Sequence, residues 1–203
     1  MLVLGSLLTA QVIFAQPLPV ELVSNANSLW YAHTFQKFFG KQQRFGISHT
    51  TSGIIPVNGN QPAEWMSQHY VNWIIKQGIR LDIGSFYASK PGIQASLGVQ
   101  FSRFRSNYGL LLKVRADPNG FRTRELFGFG EFKPRINTQI RLYSRWQFMY
   151  NATQQLHNRS YQYFRLGMHY RTSDFGLAYL HDVYGNSKQH FGQKGLYVRH
   201  VFN

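Results

Sequence analysis

Residues 138–150 read TQIRLYSRWQFMY, with Gln139, Arg141, Tyr143, Arg145 and Gln147 on one parity and Ile140, Leu142, Trp146 and Phe148 on the other. Side chains alternate between the two faces of a strand, so this stretch predicts one apolar face backed by a face carrying two guanidiniums. In a soluble sheet the apolar face meets a protein core. In a closed barrel within a membrane it meets lipid, and the arginines point into a lumen.

The same period recurs along the chain. Ile93, Ala95, Leu97, Val99 and Phe101 oppose Gln94, Ser96, Gly98, Gln100 and Ser102. Ile79, Leu81 and Ile83 oppose Arg80, Asp82 and Gly84, and Phe164, Leu166, Met168 and Tyr170 oppose Tyr163, Arg165, Gly167 and His169. No helical period of any length appears, and no segment after the N-terminus is apolar over the 18 or so residues that a membrane helix needs. Alternating segments fall at 28–39, 43–55, 66–76, 78–88, 92–105, 107–116, 121–133, 138–150, 159–171, 174–182 and 194–203. Most reach ten residues, whereas soluble strands centre on about five or six. In SLWYAHTFQKFF (28–39) neither parity is clearly apolar, and RELFGFGEF (124–132) permits both phases; a bulge in the latter would let Glu125 and Glu131 both reach the polar side, and both segments stay open.

The connections predict an alternation of short turns (40–43, 76–78, 105–107, 133–137, 171–174) with longer loops (56–64, 88–92, 116–120, 151–158, 182–192). This order fits an up-and-down barrel, not a Greek key. An even strand number then requires one more strand before residue 28, within LPVELVSNA (18–26). The expected fold is an all-β, antiparallel up-and-down transmembrane β-barrel of about 12 strands, or ten if two weak segments merge.

The chain has 203 residues, 22 Lys plus Arg against 8 Asp plus Glu, a formal charge of +14, and no cysteine. Disulfides and thiolate metal sites are excluded, and the charge points to an anionic partner. Residues 1–15 are uncharged and mostly apolar, ending in IFA before Gln16. They read as a signal peptide lacking its basic lead, which leaves 16–203 as one exported domain.

Putting a cation toward lipid at mid-depth costs about 2–4 kcal/mol, which assigns the basic parity to the lumen. The expected lumen-lining basic residues are Arg80, Lys113, Arg115, Arg141, Arg145, Arg165, His169 and Arg199, with Asp82 their clearest acidic companion. Cations so outnumber acids that most are expected to be unpaired. Arg141 and Arg145, four residues apart, read as steps of a basic ladder. Arg44, Lys90, Arg103, Arg105, Arg159, Lys188 and Lys194 sit near strand ends, where lipid phosphates lie. Basic residues are spread over most of the strands instead of forming one patch, which argues against nucleic acid.

Catalytic signals are sparse. Ser67 and His69 lie two apart on one face near a loop, a spacing that lets a serine and a histidine share acyl-transfer work. Their parity continues into Val71, Trp73 and Ile75, and the sequence assigns them no orienting partner. The eight histidines contain neither an H-x₃-H nor an HExxH spacing, so neither a metal nor a cofactor is expected.

The final segment, GLYVRHVFN, reaches the chain end with Leu196, Val198 and Phe202 on one parity. An aromatic beside the terminus of a last amphipathic strand resembles the signal of bacterial outer-membrane β-barrels. The early Trp30-Tyr31 strand and the repeated Arg–aromatic strands give a looser resemblance to their small, functionally uncharacterised members. That resemblance implies residence in the cell outer membrane among its lipids and lipopolysaccharide. It also implies insertion by the barrel assembly machinery. With the basic lumen, the expected role is a passive channel for small anionic solutes or a structural barrel with a filled lumen. The alternatives are a lipid- or lipopolysaccharide-modifying hydrolase at the outer rim and a secreted soluble β-sandwich.

Overall fold

A computed structural model describes residues 17–57, 63–119 and 123–202. The expected signal peptide therefore lies outside the described residues. Twelve antiparallel strands follow one another in chain order. They are β1 (Leu18–Asn25), β2 (Ser28–Phe39), β3 (Phe45–Pro56), β4 (Glu64–Lys76), β5 (Ile79–Ala88) and β6 (Gly92–Phe104), then β7 (Tyr108–Ala116), β8 (Thr123–Phe132), β9 (Ile140–Thr153), β10 (His157–Tyr170), β11 (Ser173–Tyr184) and β12 (Gln189–Phe202). Each pairs with its sequence neighbours, and β1 pairs with β12 to close the barrel. Closure runs from Leu18 opposite Phe202 to Asn25 opposite Gly195. No edge strand remains to be protected.

Closure makes the period-2 pattern an inside–outside pattern. Val71, Ile83, Val99, Leu166, Leu177 and Leu196 are exposed on the outer surface. Aromatic rings stack on this apolar surface, Phe45 on Trp73 near one end and Trp146 on Phe164 at mid-strand. Inside, Val23, Trp30, Tyr143, Met149, Tyr161, Tyr163, Leu180 and Tyr197 form the buried cluster. The interior is filled by large side chains on the β8–β12 and β1 side.

The two ambiguous segments are resolved by their neighbours. On β8, Glu125, Phe127, Phe129 and Glu131 share the inward parity, and β8 pairs with β9 without a register shift. No bulge is needed to bring both glutamates inside; Phe127 and Phe129 pack edge to face between them, and Arg145 lies over the Phe129 ring. On β2, Trp30 faces inward against Tyr163, while Tyr31 and His33 face outward beside Trp65 and His49.

The short–long alternation of connections does not hold. The strands run further than expected, so the loop read at 182–192 shrinks to 185–188 and that at 151–158 to 154–156, while 133–139 is among the longer connections. The polar and glycine-rich ends of these hairpins still complete ladder pairs, as in Tyr184 opposite Gln189. At the two-residue connection 77–78, Gly78 adopts φ +83°, where a side chain would press on the Ser102 carbonyl.

Candidate functional site: the charged lumen

The inward parity carries nearly all of the chain's acids. Seven of the eight acidic residues (Glu21, Glu64, Asp82, Glu125, Glu131, Asp174 and Asp182) form ion pairs with basic side chains. The eighth, Asp117, is buried in the β7–β8 connection, where it accepts the Asn119 backbone N–H. Uncompensated charges are not tolerated inside, and the acids are spent on this compensation.

Three clusters occupy the middle of the barrel. Asp82 receives Lys113 Nζ at 2.7 Å and Arg80 Nε at 3.0 Å, with Asn72 donating to Oδ1 at 2.8 Å. Lys113 sits 3.5 Å above the Tyr70 ring. Arg115 meets Glu125 through two bonds of 2.9 and 2.8 Å and lies over Phe86, and Asn151 donates to Glu125 at 3.0 Å. Arg165 Nε reaches Glu21 at 2.6 Å, while Arg145 bonds Glu131 at 3.2 Å and Gln147 at 2.9 Å. Towards one mouth Asp182 holds Arg159 at 2.6 Å and accepts the Tyr163 hydroxyl. Towards the other, Asp174 joins His169 at 2.6 Å and Arg199 at 2.7 Å.

Of the eight expected lumen bases, seven stand in these pairs. Arg141 does not; at a barrel end it donates to the Ser106 carbonyl at 2.7 Å. The expectation of mostly unpaired cations is overturned. Pairing of neighbouring strands sets an acid directly opposite Arg115, Arg145, His169 and Arg199, while Lys113 and Arg165 reach past intervening strands to Asp82 and Glu21. The ladder of Arg141 and Arg145 is also overturned, since one is spent on a turn carbonyl and the other on Glu131. Arg159, expected to meet lipid phosphate, turns inward to Asp182. Sequence reasoning missed Glu21, Glu125, Glu131, Asp174 and Asp182 as partners, although strand parity places each of them inside.

The lumen is lopsided. Arg115 and Arg165 are 1% and 2% exposed, and Tyr143 and Tyr163 are equally enclosed. On the opposite wall, β2–β4 turn small polar groups inward, and Thr34, Gln36, Thr50, Ser52 and Gln68 are only half-buried. Side chains of Arg80, Arg145 and Arg199 keep 11–14% of their surface accessible.

A second charge feature rings one end. Lys41, Arg44, Lys76, Arg103, Arg105, Arg135 and Arg171 are all exposed at or beside the turns joining β2–β3, β4–β5, β6–β7, β8–β9 and β10–β11. Ser67 and His69 lie on the outer surface of β4, apart from the lumen, with Ser67 Oγ 3.0 Å from His69 Nε2. No group of three or more His, Cys, Asp or Glu able to hold a metal occurs among the described residues.

A closed twelve-strand barrel with an apolar exterior and a charged interior is the fold of the outer-membrane β-barrels. Among solved structures the chain is similar to the KdgM porin in complex with disordered oligogalacturonate, at 8% identity and a TM-score of 0.53, covering 93% of this chain and all of that one. It is also similar to the NanC porin, at 12% identity and a TM-score of 0.56, over 92% of this chain and 98% of that one. At such identities the likeness is one of fold. No protein-family model and no curated protein matches the sequence.

Proposed function

We propose that the chain spans a bacterial outer membrane as a narrow passive pore for small anionic solutes. The carrying observation is the lopsided lumen: a packed cationic and aromatic wall faces a wall of accessible Thr, Ser and Gln side chains. Between them, Arg80, Arg145 and Arg199 keep partial access, so a passing anion meets guanidiniums held in place by their acids. Porin neighbours of similar size, one with an acidic oligosaccharide named in its complex, support the reading. The exposed collar of Lys and Arg at the turn end fits phosphate headgroups, as do Lys90, Lys188 and Lys194 at the other end. The reading includes insertion by the barrel assembly machinery, which the amphipathic last strand with Phe202 near its end supports.

A second reading, a structural barrel with a filled lumen, is favoured by the complete burial of Arg115, Arg165, Tyr143 and Tyr163. Planar-bilayer recordings separate the two. The pore reading expects discrete steps with a reversal potential favouring chloride over potassium, weakened when Arg145 and Arg199 are replaced by Gln. A correctly folded barrel that conducts nothing makes the filled-lumen reading the right one.

A further inference from the structure

The outer surface of β2–β4 carries a line of polar side chains where an apolar one is expected. Tyr31 Oη lies 2.8 Å from His33 Nδ1, and His33 Nε2 lies 3.1 Å from His49 Nε2. His49 Nδ1 is 3.1 Å from His69 Nδ1, and His69 Nε2 is 3.0 Å from Ser67 Oγ. Thr51 Oγ1 completes the group, 2.9 Å from His49 Nε2 and 3.1 Å from Ser67 Oγ. The strand register sets these neighbours, with His49 opposite His69 and Thr51 opposite Ser67.

One set of neutral tautomers satisfies the whole line. The Ser67 hydroxyl donates to His69 Nε2, His69 Nδ1–H to His49 Nδ1, His49 Nε2–H to His33 Nε2, and His33 Nδ1–H to Tyr31 Oη. Each imidazole then accepts on one nitrogen and donates from the other. The serine at one end is left against an unprotonated nitrogen of a histidine whose other nitrogen is held. That arrangement activates a hydroxyl nucleophile. Polar groups on the lipid side of a barrel carry a cost that the fold does not require.

The surroundings supply a substrate class. Ser67 pairs with Tyr87, and Trp65, one outward position nearer the strand end, lies about 7 Å further along. Tyr and Trp rings settle at headgroup level, which puts Ser67 just beneath it, at the depth of lipid ester carbonyls. On the other side of His49 and His69, Phe35, Ile47, Val71 and Ile83 line a shallow furrow of about 380 Å³ that suits an acyl chain.

We propose that Ser67, His69 and His49 form an acyl-ester hydrolase site on the outer wall of the barrel, acting on membrane glycerolipids. Ser67 Oγ bonds to the acyl carbon as its proton passes to His69 Nε2. The bond to the glycerol oxygen then breaks, and that oxygen takes the proton from His69. Water attacks the acyl-serine, giving its proton to His69 and then, through it, to the departing Ser67 Oγ, which frees the fatty acid. His49 is a positioning residue that fixes the His69 tautomer. The Thr51 hydroxyl is the donor nearest the developing oxyanion.

The proposal rests on the membrane placement argued above, so the test checks placement on the same sample. The full chain is refolded into phosphatidylethanolamine vesicles, and insertion is followed by flotation and heat-modifiable gel migration. It is then treated with a long-chain alkyl fluorophosphonate and mapped by mass spectrometry, and fatty acid release is measured in parallel. The expected result is a single adduct on Ser67, with release that falls about 100-fold or more in S67A and H69N. H49L should lower kcat with KM held, and H49N should restore part of it, because its carboxamide oxygen still accepts the His69 Nδ1–H. An inserted wild-type barrel that gives neither adduct nor fatty acid overturns the site, as does an adduct on another serine. Failure to insert overturns the membrane placement instead.

Discussion

Arg115 on β7 and Glu125 on β8 stand directly opposite one another, and their side chains meet through two parallel bonds of 2.9 and 2.8 Å inside the barrel. Both are essentially inaccessible, Asn151 occupies a remaining carboxylate position, and Phe86 covers the guanidinium. Removing one partner leaves a buried charge without compensation. E125Q should therefore lower stability by about 3–5 kcal/mol, while replacing both residues with leucine should cost much less. Urea unfolding of the folded barrel in vesicles, followed by tryptophan fluorescence, measures both. A loss under about 1 kcal/mol in E125Q would show that the pair is not sealed from water.

Leu112 and Leu166 face outward, whereas Thr50 faces the accessible side of the lumen. An arginine at either leucine should cost about 2–4 kcal/mol if the strand crosses lipid. T50R should stay within about 1 kcal/mol, because water reaches the inner wall there. Equal losses at the two parities would refute the lipid-facing assignment.

Gly167 on β10 and Gly176 on β11 are paired at an inward position of the packed wall. A methyl group on Gly167 would collide with the Phe175 carbonyl, and one on Gly176 with that of Leu166. G167A and G176A should each destabilise the barrel by about 1–3 kcal/mol. G92A makes the control for contact, since a side chain there meets no atom within 4 Å. Its own φ of +74° strains any other residue, so a modest loss is expected there too.

The last residues of β12 form one end of the ladder that closes the barrel. Phe202 and Val201 pair with Leu18 and Pro19, and the Val201 N–H donates to the Thr172 carbonyl at 2.9 Å. Deleting 201–203 should abolish heat-modifiable migration and leave the chain outside the membrane fraction. Normal assembly of this truncation would mean that closure is sealed further along the β1–β12 ladder.

Period-2 alternation was enough to specify a barrel, because a sheet of such length with one apolar face can bury that face against itself only poorly; the count of about twelve needed the even-number rule as well. Arg80, Lys113 and Arg165 could be set on the polar parity for the same reason, as could Asp82. Parity is a local property, but partnership is not. Glu21 meets Arg165 across 144 positions of sequence, and only closure of β1 on β12 brings the two walls together. Parity likewise set Ser96 and Gln100 on the polar face, but not their partners: Ser96 Oγ lies 2.9 Å from the Tyr70 hydroxyl, and Gln100 accepts from Arg80 at 2.9 Å. The outer-wall line of histidines shows the same division. Spacing joined Ser67 to His69, two residues apart on one strand. Register between β2, β3 and β4 was needed to bring in His49 and His33, because hydrogen-bonded neighbours across a sheet are set by strand pairing and leave no trace in local sequence.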